Sequence, residues 1–182
     1  MVSRRRKDPA PSVRLVFDPR DQAAREVLND GLDRYNTAVT GFEAYYPVAF
    51  FLKTGDGEVL GGLHGHIWGG WLSVRVFWIA APLRRGGHGR RLLRAAEALA
   101  KERGCVGAYL DTFGFQARPF YEKEGYTVYG TREDSPVGHA HHYLAKRFDG
   151  RPVNASRTRS RTPRTARTAK RGDSRQRRSR PR

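Results

Sequence analysis

Three glycines fall within four residues in the stretch Ile79-Ala80-Ala81-Pro82-Leu83-Arg84-Arg85-Gly86-Gly87-His88-Gly89-Arg90. An apolar run leads into this stretch, and an amphipathic pattern leads out of it, so it joins a strand to the start of a helix. The first backbone N–H groups of a helix have no intrahelical acceptor and carry a partial positive charge. Glycines let such a backbone approach an anion closely, and Arg84, Arg85 and Arg90 add charge around it, so the chemistry is that of pyrophosphate binding. The loop lacks the length and the Lys-Ser/Thr ending of a Walker A motif. Its glycine spacing and mid-chain position also miss the dinucleotide fingerprint. Elsewhere His64 and His66 alternate along one strand face, where an imidazole could take up a proton. Asp111 and Thr112 end another apolar run, where they either face a substrate or cap the following turn. His139, His141 and His142 have no carboxylate or cysteine nearby to complete a ligand set, so no metal is expected.

These residues need elements to hold them. Val13 to Phe17 reads as a first strand, and Asp18-Pro19 as a helix start. Ala24, Val27, Leu28, Leu32 and Tyr35 then form one apolar helix face, with Gly31 a potential break. Val48 to Lys53 and Glu58 to Trp68 flank a Gly-Asp-Gly turn and predict an antiparallel hairpin. Trp71 to Leu83 reads as a long strand. Leu92, Leu93, Ala96, Leu99 and Ala100 mark the helix that follows, closed by Gly104. Val106 to Phe113 predicts a strand, Ala117 to Glu124 a short helix, and Tyr126 to Thr131 and Tyr143 to Arg147 two last strands. The predicted order is β-α-β-β-β-α-β-α-β-β, a mixed sheet flanked by helices.

Arg84-x-x-Gly87-x-Gly89 resembles the Arg/Gln-x-x-Gly-x-Gly/Ala loop of the GCN5-related N-acetyltransferases (GNAT family). Ala117-Arg118-Pro119-Phe120-Tyr121-Glu122-Lys123-Glu124-Gly125-Tyr126 resembles the Ala-x-x-x-Tyr-x-x-x-Gly-Phe/Tyr segment of the same family. The resemblance spans roughly residues 13 to 147. It implies a GNAT fold, α/β with a mostly antiparallel mixed sheet that splays at the acetyl-CoA site. It also implies that Trp78, Ile79, Ala80 and Ala81 offer backbone to the pantetheine arm. The loop from Arg84 to Arg90, with Gly86 and His88, would take the pyrophosphate, and Phe120 and Tyr121 would complete the cofactor site.

In that family's chemistry Tyr121 protonates the departing thiolate, although a tyrosine there also packs a short helix against the sheet. An alkyl ammonium with a pKa of about 10 must lose its proton before it attacks. Many relatives use a Glu on the long central strand, and Trp71-Leu72-Ser73-Val74-Arg75-Val76-Phe77-Trp78 has no carboxylate. The general base is therefore open between His64, His66 and Glu43. Gly114 is a second departure, because many relatives place a cofactor-positioning Asn there. The expected acceptor is a primary amine of a small molecule or peptide, with Phe42, Tyr45, Tyr46, Asp111, Thr112 and His139 as pocket candidates. The competing reading is a non-catalytic protein that binds CoA, or nucleic acid through its basic tail. Dimers are common in the family.

Composition sets the outer limits. The net charge is +17, but thirteen Lys or Arg against Asp173 alone lie between Arg151 and Arg182. Another four basic residues lie in the first eight positions, so the middle of the chain is nearly neutral. The tail has no aromatic residue and is expected to be disordered. It is either a salt-sensitive polyanion contact or a solvated extension. This gives a basic N-terminus (1–11), a folded domain (12–149) and an Arg-rich tail (150–182). The single cysteine, Cys105, allows no internal disulfide, reads as a small buried hydrophobe, and favours a cytoplasmic protein. No run of about 18 apolar residues predicts a membrane span. Asp8-Pro9-Ala10-Pro11 follows the first basic residues where a signal peptide would need an apolar stretch.

Overall fold

A computed structural model describes residues 13–43 and 45–154. The extreme N-terminus and most of the Arg-rich tail, for which disorder is expected, lie outside the described residues. In chain order the elements are α1 (Gln22–Thr40), β1 (Tyr46–Lys53), β2 (Val59–Trp68), β3 (Trp71–Ile79), a 3₁₀ turn (Ala81–Leu83), α2 (His88–Glu102), β4 (Gly107–Phe113), α3 (Arg118–Lys123), β5 (Thr127–Arg132) and β6 (His141–Arg147). The six strands form one mixed sheet in the order β1-β2-β3-β4-β6-β5. Neighbours are antiparallel except β3 and β4. This is the expected mixed, mostly antiparallel sheet with flanking helices.

The expected first strand does not form. Val13 to Phe17 has no strand pairing, and its apolar side chains stand in solvent. Alternation fits a segment for a sheet, but a strand also needs a neighbour to satisfy its N–H and C=O groups. The helix start is also displaced. Asp18 accepts the Arg20 N–H in a preceding turn, and Asp21 is the N-cap, its Oδ1 accepting the Ala24 N–H at 2.8 Å. α1 then runs unbroken through Gly31. A mid-helix glycine costs about 1 kcal/mol relative to alanine, too little to end a helix capped at both ends. Gly41, at φ 72°, closes it with its N–H on the Thr37 carbonyl. β3 stops at Ile79 instead of Leu83, because Pro82 has no N–H for a ladder and Ala81–Leu83 coils instead.

The pairing register sorts side chains onto two faces. On one face Leu63, Leu72, Leu110 and Leu144 meet Leu92, Leu93, Ala96 and Ala100 of α2, and Tyr121 and Tyr126 of the α3 segment. This covered face is the core. Lys146 crosses to it with Nζ 3.0 and 2.7 Å from the two carboxylate oxygens of buried Glu97, so that charge is not left alone in the interior. Cys105 is buried, as expected. The opposite face carries Phe51, His64, Val76, Trp78, Tyr109, Asp111 and Tyr143. Among the described residues no helix packs across it, and it is called the open face below.

The register between β2 and β3 shifts between His64 and Gly65, leaving Arg75 as an extra residue in β3. Gly65 permits this bulge. A Cβ on it would lie 1.8 Å from the Ser73 carbonyl oxygen, a distance no side chain can occupy.

A candidate acyl-transfer site where two strands part

β3 and β4 are the parallel neighbours at the centre of the sheet, and they pair over only three positions, Trp71–Ser73 with Gly107–Tyr109. Beyond Ser73, β3 continues beside β2 while β4 continues beside β6. The two strands therefore separate into a wedge. The β3 edge facing it, from Val74 to Ile79, lacks a β4 partner, so its backbone groups are free to bind an extended polar arm.

The glycine loop lies at the wide end of this wedge. Ala80 stays tied to β2 through its N–H on Leu60 O at 2.9 Å, and the 3₁₀ turn reverses the chain. Arg84 is folded back, its Nε donating to Ile79 O at 2.9 Å, which fixes the loop against the strand it leaves. Arg85 has φ 65° and Gly87 φ 81°, so the backbone makes two left-handed steps just before α2. Gly87 is the N-cap and offers no side-chain acceptor to the first amides of the helix. An unsatisfied, positively polarised set of N–H groups thus stands at the end of an open strand edge. Arg90, expected at the phosphate, has its Nε 2.7 Å from Glu124 Oε1. Arg94 Nε stands 3.5 Å from the other carboxylate oxygen. The Glu124 side chain is 5% exposed. Burial alone would raise its pKa, but the Arg90 hydrogen bond and the charges of Arg90, Arg94 and Lys146 outweigh that and hold it below the usual carboxylate value. This cluster locks the first turn of α2 to the end of α3.

Tyr121 stands within the wedge. It is 6% exposed and packs beside Phe77 of β3 and Phe120, with ring centroids 6.3 and 5.2 Å away. Burial, and then the negative charge of Asp111 on β4, push its phenol up to about 12. The hydroxyl therefore keeps its proton throughout the neutral range, as a proton donor must.

Asp111 points to the open face and meets a residue that sequence reasoning did not place in the site. Its Oδ2 lies 2.7 Å from His141 Nε2, and the Tyr143 hydroxyl is 3.5 Å from His141 Nδ1. The imidazole sits against the Phe113 ring, 4.4 Å between centroids, and its side chain is 13% exposed. A carboxylate on Nε2 holds the proton there and leaves Nδ1 as the basic nitrogen. The β4–β6 register, which sets Asp111 opposite Tyr143 and Phe113 opposite His141, creates this arrangement from residues 30 apart.

The other candidates divide. Thr112 points to the covered face, where its hydroxyl donates to Gln116 Oε1 at 3.1 Å, the turn-capping alternative. His139 lies in the loop before β6, edge-on to Phe115. His142 is buried on the covered face beside Thr131, so the three histidines share no site. Among the described residues no group of His, Cys, Asp and Glu is arranged to hold a metal ion. His64 is exposed on the open face. His66 packs edge-on to Tyr45, which stacks on Trp68, and burial followed by the Arg75 charge lowers its pKa. Glu43 and Tyr45 line a concavity of about 630 Å³ with Trp68 and the second half of α1, and Phe42 is half exposed in the connecting loop. Tyr46 lies under Arg103, at the opposite end of α2 from the glycine loop. At Gly114 the backbone N–H binds Ala140 O, and an added Cβ would meet nothing closer than 3.5 Å.

A sheet that parts beside a glycine loop, with a protonated tyrosine in the gap, is the architecture of an acyltransferase. Residues 17–126 match the model of the Acetyltransferase (GNAT) family. The chain is 35% identical over 134 residues to acetyltransferase Atu2258 of Agrobacterium fabrum, covering 74% of this chain and 98% of that one. It is 43% identical over 91 residues to the blasticidin-S acetyltransferase of Streptomyces morookaense, covering 50% and 67% of the respective chains. A crystal structure of an Agrobacterium tumefaciens protein of the acetyltransferase type superposes with a TM-score of 0.70 at 34% identity, covering 75% of this chain and all of the other. The chain belongs to the GNAT family and is an N-acetyltransferase.

Proposed function

We propose that this enzyme moves an acetyl group from acetyl-CoA to a primary amine of a small molecule, in a ternary complex formed across the β3–β4 wedge. The observation that carries the reading is the alignment along one gap of an uncapped helix N-terminus, a free strand edge, a protonated Tyr121 and the Asp111–His141 pair. The residues present fit acetyl-CoA. Gly87, His88 and Gly89 would hold the pyrophosphate through backbone N–H groups. Val74 to Ile79 would hold the pantetheine arm, and Phe77, Phe120 and Tyr121 would enclose the thioester end. When bound, the group supplies an activated acyl thioester.

The protein's own residues then have separable tasks. His141, oriented by Asp111, accepts the proton that an ammonium must lose, with the Tyr143 hydroxyl beside its basic nitrogen. Tyr121 holds the proton needed by a leaving thiolate. The loop excludes nothing and performs no chemistry; it sets position, and position alone can lower a barrier by several kcal/mol. The blasticidin-S acetyltransferase among the relatives supports a small-molecule acceptor over a peptide. Residues 12–149 would form this enzyme unit, working in the cytoplasm.

The test is amine-dependent thiol release from acetyl-CoA over a panel of small-molecule amines and peptides. The wild type should release one thiol per acetylated amine, and His141→Gln should lose about 10²-fold in kcat, typical of a missing general base. Binding of acetyl-CoA without thiol release for any amine would overturn the reading.

A further inference from the structure

A row of aromatic rings runs along one end of the open face and passes through His141. Phe115 stacks on Phe113, with centroids 5.4 Å apart and planes 10° from parallel. Phe113 lies 4.4 Å from the His141 ring and His141 lies 4.7 Å from Tyr143, at interplanar angles of 37° and 36°. Phe113, His141 and Tyr143 belong to strands, but Phe115 sits in the turn after β4 and is 58% exposed, so its ring serves no core. His139, from the loop before β6, stands edge-on to it at 4.9 Å.

The two loops that carry the outer rings are tied to each other and to themselves. The Gly114 N–H binds Ala140 O at 2.7 Å, the Phe113 N–H binds Gln116 Oε1 at 3.0 Å, and the His139 N–H binds Pro136 O at 2.9 Å. Phe115 and His139 are thus placed before any ligand arrives, which lowers the entropic cost of binding one.

Neighbours in the row turn their faces to one another, so the row offers solvent mainly ring edges. A ring edge carries positive partial charge and a ring face negative. Such edges attract the face of a flat π system, give a saturated ring no comparable contact, and repel a cation. The Arg132 guanidinium, 5.7 Å from the Tyr143 centroid, adds to this positive character. Negative charge enters at Asp111, whose Oδ2 lies 2.7 Å from His141 Nε2. A ligand that suits both features has a flat ring and, apart from it, an ammonium. We infer that the acceptor is a primary amine on a short tether from a flat unsaturated ring, the ring lying across Phe113 and Phe115 and the nitrogen at His141. The 4.4 Å between the Phe113 and His141 rings sets the tether at one or two carbons. The occupant is the acceptor, because the row contains the imidazole that the acceptor must reach. That last step rests on the proposed acyl-transfer reading; the ring subsite does not. Phe115 determines specificity and touches no reacting atom.

The test compares 2-phenylethylamine with 2-cyclohexylethylamine, which share a tether and differ in the ring. The wild type should favour the phenyl compound by at least about fivefold in kcat/KM, chiefly through KM, the size expected of edge-to-face contact with Phe113 and Phe115. Phe115→Leu should abolish the preference and Phe115→Tyr should keep it, with acetyl-CoA affinity unchanged in both. A second arm needs no turnover. In saturation-transfer NMR with CoA present, the phenyl protons of 2-phenylethylamine should receive magnetisation from the wild type and lose most of it with Phe115→Leu. Equal kcat/KM for the two amines, or a preference that survives Phe115→Leu, would overturn the subsite. If no amine is acetylated, the acyl-transfer reading fails by itself. A Phe115-dependent NMR signal would then still uphold the subsite, and its absence would overturn the subsite as well.

Discussion

The two faces of the sheet are built from the same strands and do opposite things. The covered face interlocks small and large apolar residues against α2, and its two buried carboxylates, Glu97 and Glu124, are each paired with basic side chains. The open face alternates aromatic residues with Asp111, His141 and Tyr143, whose polar atoms are arranged around one another but not sealed off. The wedge between β3 and β4 joins them, with Tyr121 reaching it from the covered side and Asp111 bordering it from the open side. On the proposed reading the covered face holds the geometry and brings Tyr121 to the gap, while the open face brings the Asp111–His141 pair. Substitutions should divide into those that unfold the protein and those that silence it.

The largest effect belongs to the bulge. Gly65→Val places side-chain atoms where the Ser73 carbonyl stands, so it should cost several kcal/mol or prevent folding, read by denaturant unfolding. Leu93→Ala, at a fully buried position on α2, should cost roughly 2–5 kcal/mol in the same measurement. Gly87→Glu should silence without unfolding. It strains a left-handed position and sets a negative charge at the uncapped helix end, so acetyl-CoA affinity by calorimetry should drop at least about 100-fold. Thermal stability should change far less.

Glu124→Gln is a milder test of the covered side, and its pH dependence gives the sign. The folded-state pKa of Glu124 is lowered, so its ionised form stabilises the fold above the unfolded value of 4.5, and that contribution is lost as pH falls through the folded value. The wild type should thus melt a few degrees higher than Glu124→Gln at pH 7, and the gap should close on acidification. The smallest effect is expected at Glu43, which lies on the α1 concavity and in no hydrogen bond with Asp111 or His141. Glu43→Gln should change kcat less than about twofold, within the range of a surface substitution.

What the sequence made legible follows from how local each feature is. The glycine loop and the Phe120-Tyr121 segment are contiguous, so their residue types alone disclosed them. The hairpin and α2 were equally readable, because turn glycines and a helical stripe are short-range signals. Val13 to Phe17 shows the limit: its alternation suits a strand, yet no neighbour pairs with it. Likewise α1 displays its apolar stripe in the sequence, but the stripe does not say what will cover it. Arg90, a phosphate candidate in the sequence, also holds Glu124 from 34 positions away, a partner the sequence does not announce. The Asp111–His141 pair depends on the register of two strands far apart in the chain, so neither residue announces the other. His64 and His66 are candidates in the sequence because they share one face of a strand, whereas the imidazole bound to a carboxylate sits on β6.

The most direct measurement compares wild type and Tyr121→Phe in two assays on the same protein, calorimetric binding of acetyl-CoA and amine-dependent thiol release. The account predicts closely similar binding and a loss of about 10²-fold in kcat, since only the proton donor has been removed. Equal turnover by the two proteins, or a wild type that binds acetyl-CoA but acetylates no amine, would contradict it.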